Sequence, residues 1–492
     1  MKNLLKLLKT PAWQERLAMT DVWATRFTLI ALVLLAFGSA AQAPTEETIL
    51  QAGLAAQGQQ EYWRAESFFQ QAALIAPDDF QPLLDLARLH LLEHRDALVQ
   101  SELETARTLA NDNADIWLTL GDVAQDQGHL QDAEHAWLQA ARLNPVAAQV
   151  RARQRLGLFY EQQGRWQDAE TQFAALPGSD ALAQYHLGVL RLARGDRAGA
   201  RQAFEAALEQ TDDGAWRDAA QQFLQVIDQW NGSAASEKLV GFAYIKNNFP
   251  GLATAPLKQA VALAPKDAAA HAYLGWTYLQ AGSSGQARQE ENRAVALDPG
   301  NSFASYTLSL LDLADGRYSS AIHDLEQGLS ADPRNPALWA TRGAIAEQLR
   351  DLPGAELALR QAAANAGGDP RFSLLLANFY VNHQIGLDQG TALAAARLAI
   401  VLDPTNGLAY DTLGRIQQAV RAYPDAMSAF IQAANLAPTN AALHMHLGTV
   451  QATLGYLRSA ELNLRKAIVL DFNGPVGRQA QQALQALSPL GI

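Results

Sequence analysis

The chain has 492 residues, 49% of them hydrophobic, no cysteine and a formal charge of −12. Without cysteine there can be no disulfide, thiolate metal site, cysteine nucleophile or lipidated N-terminal cysteine. The charge is uneven: residues 1–43 carry five bases and two acids, a net +3, which leaves −15 on the rest. An acidic body of that size repels phosphate backbones, so nucleic acid is not an expected partner.

Residues 1–21 read as a basic cytoplasmic segment in which Lys2, Lys6 and Lys9 line one side of a short amphipathic helix. Residues 27–41 (FTLIALVLLAFGSAA) form an uncharged run of 15. A membrane span needs about 20 residues, so the run itself is short and has the length of a signal-peptide core. Ser39-Ala40-Ala41 and Ala41-Gln42-Ala43 offer small residues for cleavage, although Pro44 hinders the second site. The 26 residues ahead of the run are long for a signal peptide. Reading residues 22–43 as a transmembrane anchor places Trp23 at an interface and lets Arg26 snorkel. A retained single-span anchor is therefore the expectation, with a cleaved signal and a secreted or periplasmic product as the alternative. A buried soluble helix is the plain third reading. Bases precede the segment and Glu46 and Glu47 follow it. Either membrane reading thus leaves the N-terminus in the cytoplasm and the remainder outside.

Beyond the leader, small residues recur in helical surroundings at Gly53, Ala87, Gly121, Gly157, Gly188, Gly241, Gly275, Ser309, Gly343, Ala377, Gly414 and Gly448, mostly 34 apart. An alanine follows twelve residues later at Ala65, Ala133, Ala169, Ala200, Ala253, Ala287, Ala321, Ala355, Ala426 and Ala460. Prolines close many units, among them Pro77, Pro145, Pro265, Pro299, Pro333, Pro404 and Pro438. A fixed period in the range of 20–50 residues marks a solenoid, whose units bury their faces by stacking on neighbours.

Residues 114–147 (ADIWLTLGDVAQDQGHLQDAEHAWLQAARLNPVA) show one unit. Trp117, Leu120 and Ala124 make an apolar helical stripe, and Gly128 ends that helix. Ala133, Ala136, Trp137 and Ala140 fill a second helix, which Pro145 stops. Gly121 and Ala133 let the paired helices approach while Trp117 and Trp137 fill the gaps. This pattern of aromatic, Leu-Gly, aromatic, Ala, aromatic, Ala and Pro resembles the tetratricopeptide repeat, and residues 270–299 and 408–438 repeat it. The fold class expected is all-α: a right-handed α-solenoid of about twelve helical hairpins behind the N-terminal anchor or signal helix.

Three irregularities divide the lattice. Residues 150–180 run short and end in LPGSD. Residues 215–230 (AWRDAAQQFLQVIDQW) add a helix within the 53-residue interval from Gly188 to Gly241, and 381–390 lengthen one hairpin turn. The expected organisation is a repeat block at 46–213, an extra helix and linker at 214–233, a second block at 234–474 and a capping helix at 475–492. The simple role for the extra helix is to fill a seam in the superhelix.

Candidates for chemistry are few. His90-Leu-Leu-Glu93-His94 matches the H-x-x-E-H zinc-peptidase pattern. Yet His90 stands where Tyr160, Tyr244 and Tyr278 stand in other units, so packing is the expected role. His444 and His446 are two apart on a helix and face different directions. The remaining carboxylates read as a solvated outer face. No catalytic residue, cofactor or metal site is predicted, and the chain is not expected to be an enzyme.

Binding is the better-supported activity. In the family it resembles, first helices line a groove that holds peptides or partner helices. Carried over by register, that face is polar at Gln81, Arg88, Asp115, Asp122, Gln154 and Glu161. It turns apolar at Tyr185, Val189, Phe242, Trp276, Phe303, Tyr306 and Leu310, then polar again at Glu347, Asn378, Asp411 and Arg415. An aromatic strip between polar ends suits a peptide groove; packing between neighbouring helices or under the 215–230 insert is the competing role. The Lys/Asn carboxylate clamp of some family members is missing, since the corresponding pairs are Leu50 and Leu54, Leu84 and Arg88, and Leu118 and Asp122. The resemblance implies a membrane-tethered scaffold that recruits protein partners for envelope assembly, secretion or polysaccharide export. The alternatives are an accessory subunit of a glycosyltransferase or peptidase system, and a cytoplasmic co-chaperone. Nothing in the sequence sets the oligomeric state.

Overall fold

The computed structural model describes residues 45–487 except 59–61, 93–95, 144–145, 211–213, 215, 388–389 and 472–473. The leader at 1–43, Glu93, His94 and Pro145 lie outside the described residues. Among those described there are 26 α-helices and no strand. They form two compact units: residues up to Leu156 with Arg465–Gln482, and Gly157–Leu464 with the residues from Ala483. No helix among the described residues is long and apolar enough to cross a membrane.

In chain order, α1 (Glu46–Gly58) pairs with α2 (Tyr62–Ile75), α3 (Gln81–Leu92) with α4 (Asp96–Leu109), and α5 (Ala114–Asp126) with α6 (Leu130–Ala140). Next come α7 (Val146–Gln162), α8 (Trp166–Ala174), the pair α9 (Ala181–Ala193) and α10 (Arg197–Glu209), and the extra helix α11 (Trp216–Gln229). Five further hairpins join α12 (Ala234–Lys246) to α13 (Pro250–Leu263), α14 (Ala268–Gln280) to α15 (Ser284–Leu297), α16 (Ser302–Ala314) to α17 (Tyr318–Ala331), α18 (Pro336–Gln348) to α19 (Leu352–Asn365), and α20 (Pro370–His383) to α21 (Thr391–Leu402). The chain ends with α22 (Gly407–Ala419), α23 (Tyr423–Leu436), α24 (Ala441–Thr453), α25 (Leu457–Leu470) and α26 (Pro475–Leu487).

Eight of the first helices begin on an Asn or Asp cap. Asn113, Asp180, Asp267, Asn301, Asn335, Asp369, Asn406 and Asn440 accept backbone N–H groups of the helices they precede. These side chains satisfy donors that the first turn leaves without a partner. A second tie closes the turn between hairpins. Trp339 Nε1 donates to the Pro333 carbonyl at 2.8 Å, and Trp117 Nε1 to that of Asn111 at 2.8 Å. At the same register His271 Nε2 lies 3.1 Å from the Pro265 carbonyl and His444 Nε2 2.9 Å from that of Pro438. Trp117 is thus half-buried over a turn, edge-on to His135 of α6 at 6.0 Å and outside the gap at Gly121.

That gap belongs to Trp137. Sixteen residues after each small position comes a large side chain that covers it: Phe69 over Gly53, Trp137 over Gly121, Phe173 over Gly157, Phe204 over Gly188, Leu257 over Gly241, Leu359 over Gly343, Phe430 over Gly414 and Leu464 over Gly448. A Cβ added at these glycines would sit 2.4–2.8 Å from the covering side chain. The ten register alanines are all fully buried. Small positions on both helices therefore bring the backbones close enough for one large side chain to close each hairpin.

The extra helix fills a seam inside the second unit. Phe223 of α11 is fully buried, stacked on Phe204 at 5.3 Å and tilted against Tyr244 at 5.4 Å. The Tyr244 hydroxyl donates to the Val189 carbonyl at 3.0 Å. In the lengthened hairpin, Gln384 turns left-handed at φ 57° after α20, and α21 starts only at Thr391.

One hairpin breaks the pattern. Over Gly275 lies Glu291, fully buried, and neither carboxylate oxygen has a hydrogen-bond partner. The hydroxyl of Thr307, a polar group beside it, donates to the Phe303 carbonyl at 3.0 Å. Burial pushes the Glu291 carboxyl up to about 10. The expectation that the carboxylates all form a solvated face is corrected here, and also at Asp85, Glu102, Glu237, Asp312 and Asp411, which are buried.

Candidate partner-binding face

The first helices of α12, α14 and α16 set a run of aromatic rings side by side. Phe242 lies 5.0 Å from Tyr273, Tyr273 5.3 Å from Phe303, Phe303 5.8 Å from Trp276, and Trp276 6.2 Å from Tyr306 in a stacked pose. Phe242 is exposed at 39%, and Tyr273, Trp276, Phe303, Tyr306 and Leu310 are half-buried. These separations are those of favourable aromatic pairs, so the rings hold one another in place while each keeps part of its surface open. Burial raises the Tyr273 and Tyr306 phenols above the ordinary tyrosine range.

Of the seven residues expected on this face, Phe242, Trp276, Phe303, Tyr306 and Leu310 keep open surface. The other two do not: Val189 is fully buried, and Tyr185 is buried against Trp216 at 6.0 Å and Phe249 at 6.3 Å. The inserted helix α11 brings Trp216 over Tyr185, while the Val189 carbonyl accepts from the Tyr244 hydroxyl, so both residues lie in the core. Tyr273 was missed. It is adjacent in register to the counted positions and lies between Phe242 and Phe303.

The polar ends are built from pairs between successive first helices. Arg88 bonds Asp115 at 3.1 Å and Thr119 at 3.3 Å, Arg151 also binds Asp115, and Arg155 bonds Asp122 at 2.8 Å. In the second unit, His186 lies 2.8 Å from Glu161, His383 2.5 Å from Glu347 and His446 2.6 Å from Asp411. Arg415 is held by amides, at 2.7 Å from Asn382 and 3.5 Å from Asn378. Lys238 pairs with Asp267 at 2.6 Å beside the aromatic run.

The first histidine of the H-x-x-E-H pattern serves the core. His90 is fully buried with Nδ1 2.7 Å from Glu102 and Nε2 3.3 Å from Glu66. Among the described residues no group of three or more His, Cys, Asp or Glu is placed to hold a metal.

A stack of helical hairpins of this kind is an α-solenoid, a fold class that by itself fixes no function. Family profiles described as tetratricopeptide repeat match residues 118–181, 160–215 and 241–302, and a further one matches 312–379. The hairpins within those residues match the tetratricopeptide repeat. No curated protein matches the chain. Among solved structures it is similar to the anaphase-promoting-complex hetero-tetramer Cut9–Hcn1 (15% identity, 93% of this chain and 98% of that one, TM-score 0.40). It is also similar to yeast Tom70 (15%, 90% and 96%, 0.37) and to PilF of Pseudomonas aeruginosa (18%, 45% and 97%, 0.38).

Proposed function

We propose that the chain is a non-catalytic scaffold that binds an extended, aromatic-rich or apolar segment of a protein partner across Phe242, Tyr273, Trp276, Phe303 and Tyr306. The contiguity of half-open rings over three successive hairpins carries this reading, since rigid aromatics lose little entropy on binding and dominate interface energies. Replacing Trp276 and Tyr306 together by alanine is expected to weaken a partner captured by crosslinking in intact cells by roughly 30-fold or more, from about 2 kcal/mol for a central aromatic. Far-UV CD should show the helices retained. Unchanged affinity in the folded double variant would sink the reading.

The leader gives the proposal a location. Its apolar run, with bases before and acids after, supports a membrane tether that holds the repeats outside the cytoplasm, where the partner would belong to the envelope. A C-terminal tag is then digested by protease added to intact spheroplasts. A tag protected until lysis reverses this topology and favours a cytoplasmic partner.

A further inference from the structure

The Tyr380 register has an empty counterpart one hairpin earlier. Tyr380 packs into the preceding hairpin, where Arg360 donates to its hydroxyl at 2.7 Å and that hydroxyl donates to Glu356 at 3.0 Å. Tyr278, at the same register, receives Lys258 over its ring at 5.6 Å. Moving 34 residues back from Tyr380 gives Ala346, and from Glu356 gives Ile322. No ring enters there. A cleft of about 140 Å³ opens instead, walled by Ile322, Trp339, Ala346, Leu349 and Leu357. A cavity of roughly 150 Å³ accepts one benzene ring, so the space suits the side chain that other hairpins insert themselves.

The cleft also carries a charge. Arg342 lines it at a position that is Leu274 or Leu376 in other hairpins. Its guanidinium lies 5.5 Å from the Trp339 ring and 3.7 Å from Glu326, and both side chains of that pair are exposed. Such a long, solvated bridge contributes little, and Arg342 can exchange it for another carboxylate. Asp351 lies at the same cleft, but its carboxylate accepts the Gly354 N–H at 3.0 Å as a helix cap. None of these residues belongs to the aromatic strip.

We propose that this cleft takes a single aromatic side chain of a partner protein, presented next to a carboxylate that pairs with Arg342. The aromatic ring takes the place left by Ala346, against Trp339 and Ile322, and the carboxylate stays at the mouth. This contact is independent of the strip, so the failure of either leaves the other standing.

The test uses two probes on the full chain, 3-(4-hydroxyphenyl)propionate and p-cresol, and follows the Trp339 indole N–H by NMR, assigned with Trp339→Phe. Both probes should shift that resonance, with affinity in the millimolar range expected of so few atoms. Ala346→Tyr supplies the missing ring from within, so it should keep the fold, raise thermal stability and abolish the response to both probes. Arg342→Gln should weaken the propionate roughly threefold, the scale of an exposed ion pair, and leave p-cresol unchanged. Equal responses in wild type and folded Ala346→Tyr, or no Trp339 shift in wild type, would overturn the aromatic site. Equal weakening of both probes by Arg342→Gln would overturn the carboxylate contact.

Discussion

Trp137→Ala lowers the stability of the first unit by about 3–5 kcal/mol, the range for a fully buried large aromatic. Its indole closes the α5–α6 hairpin over Gly121 and donates Nε1–H to Asp122 at 3.1 Å. Removing it opens a cavity that the rigid glycine and alanine contacts cannot collapse. Gly121→Ala attacks the same joint from the opposite helix, because its Cβ would lie 2.4 Å from the indole. Overpacking of this kind costs about 1–3 kcal/mol. The double variant should cost clearly less than the sum, since the new methyl enters space the indole has left. Urea titrations followed by far-UV CD measure all three. Strict additivity would show that the two residues do not share a joint.

Replacing Glu291 stabilises the second unit, by an amount that depends on pH. Burial raises this carboxyl from 4.5 to about 10, so folding takes up a proton between those values. The sign follows from linkage: the group costs the fold least below pH 4.5, where it is protonated in both states. Its contribution then falls by about 1.4 kcal/mol per pH unit as pH rises towards 10. Between pH 5 and pH 8 wild type therefore loses about 4 kcal/mol that Glu291→Gln keeps. Glu291→Leu restores the apolar contact found at Leu257, Leu325 and Leu359. It should exceed wild type by about 1–3 kcal/mol even near pH 5, the cost of an unpaired buried polar group. Parallel stability-against-pH curves for wild type and Glu291→Gln would refute the argument. All other titrating groups are common to both chains and cancel in the comparison.

The lattice was legible because close helix packing tolerates only small side chains, so Gly and Ala recur at fixed distances. The ten alanines twelve residues after the small positions are buried as that logic requires. The exceptions were illegible for a related reason. Glu291 looks like any carboxylate until its register is traced back to Gly275. Tyr185 occupies a face position by count, but an inserted helix sets Trp216 against it, and counting within one hairpin cannot see a helix from outside the repeat. Tyr273 could have been found by extending the face one residue towards the next hairpin. Its ring completes the strip by spanning from Phe242 to Phe303.

Eight hairpins also carry their own starting mark, the Asn or Asp cap that precedes the first helix. Asn301 stands before Ser302 as Asn335 stands before Pro336, and both accept the first-turn amides of the helix that follows. Cutting out residues 302–335 and rejoining the ends would set Asn301 before Pro336, with Gly275 and Gly343 then a single period apart. The excised link carries Phe303, Tyr306 and Leu310, while Asn301 stands ready to cap the helix that follows. A chain written this way can be lengthened or shortened by whole links. Reach and recognition can then change through duplication or loss, with no new way of folding required.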